Sequence, residues 1–302
     1  MTSRKMQFCR NVQQHAEHDR GRQTDMIELQ GLTKKYGTFT AVDHIDLRIE
    51  TGEFFGLLGP NGAGKTTTIS MISTVLLPTE GTVQVDGNIL DRKSSREKQK
   101  LSVITQEFSM RQDMTAEEVM EYQGRLYYLP RKVIRQKTEE LLDFVGLLEF
   151  RKRIVRHLSG GMKRKLMICR ALMTEPEILI LDEPTAGMDA VSRRQTWNLL
   201  RQLNGRGITI VLTTHLIDDA QALCDRVALM NQGQIKYVDT PARLILELGE
   251  YAVDEPSKDI LKSSYFRTRE DAIAHLSQAG GHAALRRTTL EDVFVERVGR
   301  RL

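Results

Sequence analysis

No apolar run in this chain approaches the ~20 residues needed to cross a bilayer. The best candidates, residues 54–58 and 178–181, are strand-sized. The N-terminus is polar and lacks the apolar core of a secretory signal, so a cytosolic location is expected unless another chain holds the protein at a membrane. Cysteine is scarce: Cys9, Cys169 and Cys224 stand far apart with no CxxC pair. That spacing argues against a disulfide framework or a zinc site and fits a reducing compartment. Cys169 falls in an apolar helical register and is expected to be a small core residue. Charge of one sign is also lacking, with 44 Lys and Arg against 40 Asp and Glu, a net +4. Such an excess is too small for a nucleic-acid footprint, and no nucleic-acid partner is expected. No repeat of 20–50 residues is visible. What is present is ordinary for a globular protein: 302 residues, 40% hydrophobic and 28% charged, enough for one large domain or two smaller ones.

Residues 1–25, rich in Arg, Gln, His and Asp, read as a flexible arm, and Met26 is an alternative start. From 26 to about 105 the pattern is short strands and turns, with Ile45, Leu47 and Ile49 alternating apolar with polar. Between about 107 and 173 the texture is helical. Thr115 with Glu118 forms a capping-box signature, and Val119, Tyr122 and Leu126 follow at helical spacing. A second helix carries Ile134, Leu141, Leu142 and Val145, and a third, after Ser159, carries Met162, Leu166, Cys169 and Met173. Buried strands are expected at 178–181 and 208–213. Their alternation with helices predicts an α/β fold with a parallel sheet covered on both faces. Residues from about 241 to 302 are expected to form a separate accessory tail, where Thr288 and Glu291 would cap a helix burying Leu290, Val293 and Phe294.

Residues 59–66, Gly-Pro-Asn-Gly-Ala-Gly-Lys-Thr, fit GxxxxGK[ST], preceded by a strand and followed by a helix. Glycines let backbone amides converge on phosphate oxygens, and the helix adds its positive N-terminal end. Lys65 supplies a cation to the β- and γ-phosphates, and Thr66 is placed to ligate magnesium. The strand at 178–181 ends in Asp182 and Glu183, at the carboxyl edge where such sheets bind ligands. Asp182 is thus a candidate for the magnesium shell, and Glu183 for the base that activates water.

Leu158-Ser159-Gly160-Gly161-Met162, upstream of Asp182, resembles the signature motif of the ABC ATPase family. Other motifs of that family follow in order. Tyr36 resembles its adenine-stacking aromatic, and Gln106 the glutamine that links magnesium and water to the helical subdomain. Asp189, in Ala186-Gly187-Met188-Asp189, resembles the loop joining two active sites, and His215 the histidine contacting the γ-phosphate. The resemblance covers residues 26–240. It implies a P-loop NTPase with a RecA-like parallel sheet, an antiparallel β subdomain and an inserted helical subdomain. Magnesium-ATP would be bound by Gly59, Pro60, Asn61, Gly62, Ala63, Gly64, Lys65, Thr66 and Thr67. Glu183, His215 and Gln106 would serve hydrolysis, and Thr66, Gln106 and Asp182 the metal. Ser159, Gly160, Gly161 and Asp189 would reach the nucleotide of a second cassette in a head-to-tail homodimer or heterodimer.

Within the family, the basic run at 162–165, the segment 124–130 and residues 289–294 resemble single-cassette exporters of the daunorubicin-resistance kind. Tyr128 stands where that branch has glycine, and Met188 replaces a leucine, a volume-conserving change. The resemblance implies an ATPase working through a separate transmembrane permease at the inner face of the cell membrane. Two alternatives fit less well. A soluble ABC ATPase acting on nucleic acid or ribosomes would carry a second cassette or a long coiled coil. A P-loop switch protein would lack the signature and His215.

Overall fold

Consecutive apolar residues at 54–58 and 178–181 demand a sheet shielded on both faces. A computed structural model gives the fold over residues 25–107, 109–257, 260–279 and 282–299. Cys9 and the arm expected over residues 1–25 lie outside these, apart from Asp25, which opens the first strand. The strands are β1 (Asp25–Tyr36), β2 (Phe39–Glu50), β3 (Phe54–Leu58), β4 (Glu80–Val85), β5 (Asn88–Ile89), β6 (Leu101–Ile104), β7 (Ile178–Asp182), β8 (Thr209–Thr214), β9 (Arg226–Asn231), β10 (Gln234–Asp239), β11 (Tyr251–Ser257), β12 (Ile260–Phe266) and β13 (Ala284–Arg287). The helices are α1 (Lys65–Ile72), α2 (Ser95–Gln99), α3 (Ala116–Leu126), α4 (Arg131–Phe144), α5 (Gly160–Leu172), α6 (Ala190–Asn204), α7 (Ile217–Leu223), α8 (Pro241–Leu248), α9 (Arg269–Gln278) and α10 (Leu290–Val298).

The central sheet has the order β10-β9-β3-β8-β7-β6, parallel except for the edge hairpin strand β10. Alternate side chains of its inner strands feed two cores. Phe54, Leu58, Leu179 and Leu181 enter one with helices α3–α7, while Phe55, Leu57, Ile178 and Ile180 enter the other. The second core is closed by α1 and by the antiparallel sheet β2-β1-β4-β5. One face of the parallel sheet is thus covered partly by a second sheet rather than by helices alone. Among the described residues no helix is long and apolar enough to cross a membrane.

The helical segment forms as its caps dictate. Thr115 and Glu118 make the expected capping box at the start of α3, with Glu118 Oε2 accepting the Thr115 amide at 2.7 Å. Val119 is buried, whereas Tyr122 and Leu126 are half exposed, so the inner face of α3 runs through Ala116, Val119 and Met120 instead. Cys169 is fully buried and donates to the Leu141 carbonyl, and burial pushes its thiol up.

Past residue 240 the chain is docked onto the main body. Leu244, Leu290, Val293 and Phe294 belong to the larger core, while β12-β11-β13 form a small antiparallel sheet. The capping box of α10 lies one residue later than the sequence suggests, pairing Thr289 with Asp292 rather than Thr288 with Glu291. Arg286 accounts for the register. Its guanidinium donates to both oxygens of Asp292 at 2.7 Å and to Asp254 on β11, fixing Asp292 at the helix start. Burial alone would raise the Asp292 carboxyl, but the hydrogen bonds from Arg286 and Thr289 outweigh it and hold it low. Arg286→Ala should therefore lower stability by about 1–3 kcal/mol, below the range for a fully buried pair because the guanidinium is partly solvated. Faster hydrogen exchange over residues 251–256 would report it. Because the Asp292 pKa is depressed, this contribution is present above about pH 4 and lost as pH falls further.

Candidate functional site

Strand β3 delivers the chain to the carboxyl edge of the parallel sheet, and α1 leaves from the same point. Between them the backbone needs two of its glycines. Gly64, the N-cap of α1, has φ +104°, and a Cβ there would lie 2.5 Å from the Ala41 carbonyl oxygen. At Gly59 a Cβ would meet the Met230 carbonyl oxygen at 2.3 Å. The loop consequently presses against β2 and β9, with the first amides of α1 at its centre.

Lys65 is only 6% exposed. Its ammonium donates to the carbonyls of Gly59 (2.7 Å) and Pro60 (3.1 Å) and lies 3.7 Å from Glu183 Oε1. Burial lowers its pKa, and the neighbouring Glu183 and Asp182 carboxylates oppose that shift. Beside it, Thr66 Oγ1 donates to Asp182 Oδ1 at 3.3 Å, and Thr213 on β8 donates to the same oxygen. A hydroxyl and a carboxylate are hard oxygen donors. They fit a magnesium-like cation that takes one or two protein oxygens and completes its shell with phosphate and water.

Glu183 follows directly on β7 and is buried. Its φ is +48°, in the left-handed region that a non-glycine residue enters at a cost of about 1–3 kcal/mol. The Glu183 amide donates to both the carbonyl (3.1 Å) and the hydroxyl (3.2 Å) of Thr213, which hold the turn. The effect is to turn the carboxylate back over the phosphate loop. Oε1 then faces Lys65, and Oε2 lies 2.9 Å from His215 Nδ1, at the end of β8.

A cavity of about 320 Å³ opens above this cluster. Tyr36, the loop from Asn61 to Thr67, Gln106, Glu183 and His215 all line it. Ser159, Gly160, Gly161 and Asp189 do not. Ser159 caps α5 through the Met162 amide (3.2 Å), and Asp189 caps α6 through the amides of Val191 and Ser192. These two helix starts are neighbours, since a Cβ on Gly161 would lie 3.3 Å from Ser192 Oγ. The chain thus displays helix N-termini in two separate places, one of them in the cavity.

Two residues of the site escaped the sequence. Phe39 lines the cavity beside Tyr36, and both are more than half exposed. Two aromatics flanking the Gly37-Thr38 turn were the available signal. Arg164, from the basic run 162–165, is buried. It donates to the carbonyls of Thr105 (2.9 Å), Gln106 (3.2 Å) and Glu183 (3.5 Å), so α5 grips the segments bearing both Gln106 and Glu183.

Residues 42–186 match the family model described as ABC transporter. The linearmycin resistance ATP-binding protein of Bacillus subtilis is 39% identical over 74% of this chain and 72% of its own length. The Nod factor export ATP-binding protein I of Ralstonia nicotianae is 35% identical over 92% of this chain and 95% of its own. A solved dimeric ATP-binding cassette, MJ0796 in a post-hydrolysis state with ADP and Pi, superposes with a TM-score of 0.64 at 29% identity, covering 71% of this chain and 98% of that one. A strand-loop-helix phosphate cradle, a carboxylate over it and likeness across most of the chain lead to one assignment: this chain belongs to the ABC transporter ATP-binding proteins, which bind and hydrolyse ATP.

Proposed function

We propose that this chain is the motor of an exporter. It takes magnesium-ATP at residues 59–67 and drives a separate membrane-embedded permease from the inner face of the membrane. The observation that carries the reading is the meeting of Lys65, Glu183 and His215 within 3.7 Å at the head of α1. Lys65 and the loop amides neutralise the phosphates, and Tyr36 with Phe39 offers a face for the base. Glu183 accepts the proton of the attacking water, while His215 orients that carboxylate and reaches the γ-phosphate. Thr66, Asp182 and Gln106 would hold magnesium, which supplies charge neutralisation at the phosphates when bound.

Residues 26–240 form the ATPase domain in this reading, with 107–173 as its helical subdomain and 241–302 as an accessory region. Export is supported by the relatives' own names, linearmycin resistance and Nod factor export. The exposed amides after Ser159 are suited to a γ-phosphate on a second cassette, with Asp189 beside them. Ser159→Arg should then leave one chain's affinity for nucleotide within about twofold, yet abolish ATP-dependent dimerisation. A bulky cation at this helix start removes both the cap and the close approach. Size exclusion with and without ATP is the measurement. An ATP-dependent dimer that survives the substitution would refute the head-to-tail arrangement.

A further inference from the structure

Asp219, on α7, is fully buried although its neighbours Ala220 and Leu223 show that the site accepts apolar side chains. Its two carboxylate oxygens are used in different directions. Oδ2 accepts from Thr185 Oγ1, two residues beyond Glu183, and Oδ1 accepts from Trp197 Nε1 at 2.9 Å. Trp197, the sole tryptophan of the chain, lies in α6, the helix that Asp189 caps. The Asp219 amide donates to the Leu216 carbonyl at 3.1 Å, holding the start of α7 against the residue after His215. Since Glu183 and His215 are themselves 2.9 Å apart, a closed ring results. It runs from Glu183 to Thr185, across to Asp219, back to His215 and across to Glu183.

Burying an acid where an apolar residue would pack is unfavourable, and burial does push the Asp219 carboxyl up against the two hydrogen bonds. Ala or Leu would pack there without that cost, and an acid in the first turn of α7 offsets only part of it through a modest attraction to the helix start. What it supplies is a common anchor for three segments: the one after Glu183, the helix after Asp189 and the helix after His215.

We propose that Asp219 is a positioning residue for ATP hydrolysis. By clamping Thr185 and Trp197 to the helix that follows His215, it sets the approach of His215 to Glu183 and links both to the loop at Asp189. This rests on the roles proposed above for Glu183 and His215. Displacing a general base by a fraction of an ångström slows chemistry without altering the phosphate cradle, so the effect belongs in kcat.

The test uses the full-length chain, comparing Asp219→Ala, Asp219→Asn, Thr185→Val and Glu183→Gln by steady-state ATPase rates, nucleotide affinity and thermal midpoint. Asp219→Ala and Thr185→Val should each lose about tenfold or more in kcat, with nucleotide affinity within about twofold. Asparagine can accept from Trp197 while donating to Thr185, so Asp219→Asn should recover kcat to within about threefold of wild type. The double variant Asp219→Ala with Thr185→Val should fall no further than Asp219→Ala alone, because that substitution already removes the link Thr185→Val breaks. If Asp219→Ala does not fold, Thr185→Val and Asp219→Asn carry the same comparison. Wild-type kcat in Thr185→Val, or additive losses, would overturn the proposal. A silent Glu183→Gln beside a fully active Thr185→Val overturns this inference alone. Full turnover in Glu183→Gln overturns the role of the base itself.

Discussion

Glu183→Gln is expected to bind ATP as well as the wild type, or more tightly, while turning over at least about 100-fold more slowly. General-base catalysis contributes about 10²–10⁴ in rate, or roughly 3–5 kcal/mol of barrier. The amide keeps the shape of the carboxylate but takes no proton. Binding should survive because the phosphate cradle is made of loop amides and Lys65, none of which is altered. It should tighten if anything, since the ammonium 3.7 Å from Glu183 Oε1 would then face one carboxylate fewer. Single-turnover hydrolysis and equilibrium binding of a fluorescent ATP analogue separate the two effects. Wild-type turnover would remove Glu183 from the mechanism.

Lys65→Ala should fail at the earlier step. A charge-assisted hydrogen bond to phosphate contributes about 1.5–3 kcal/mol, so nucleotide affinity should drop about 10- to 100-fold. The lysine also donates to the Gly59 and Pro60 carbonyls, which makes it part of the loop's own structure. Lys65→Met, which keeps the aliphatic stem, separates these contributions. It should lose affinity nearly as fully as alanine while distorting the loop less. Unchanged affinity in both variants would contradict the placement of the triphosphate at α1.

Much of this site could be read from the sequence because its chemistry is local. The phosphate loop is contiguous, and its GxxxxGK[ST] spacing lies within eight consecutive residues, even though the contacts that demand Gly59 and Gly64 come from β9 and β2. Glu183 follows a strand whose apolar run is unmistakable. The helical segment was legible for the same reason, since a capping box such as Thr115 with Glu118 is written into four residues. Legibility failed where a long-range partner decides. Arg164 sits in a basic run that looks solvated, yet the carbonyls of Thr105 and Gln106, far off in sequence, lie within hydrogen-bond reach of its guanidinium in space. Asp219 reads as an ordinary acid in the first turn of a helix until Thr185 and Trp197 close on it. The capping box at Thr289 was displaced by one residue because Arg286, on a different element, selects Asp292 over Glu291. Strand β11 contains Asp254, Glu255 and Pro256 and lacks a clean alternation, so the small sheet it leads is specified by its neighbours instead.

The packing of α10 has a practical consequence for dissecting this protein. Phe294 and Val293 fill the same apolar volume as Leu223 and Val227, elements of the nucleotide-binding half. The Leu290 amide is held by Gln221 on α7, the helix that begins just after His215. Trimming the polypeptide after Asp239 to obtain a minimal cassette would strip that cover and leave oily surface beside the histidine's helix. A shortened version should therefore clump, and any loss of activity in it would say little about the chemistry of the pocket.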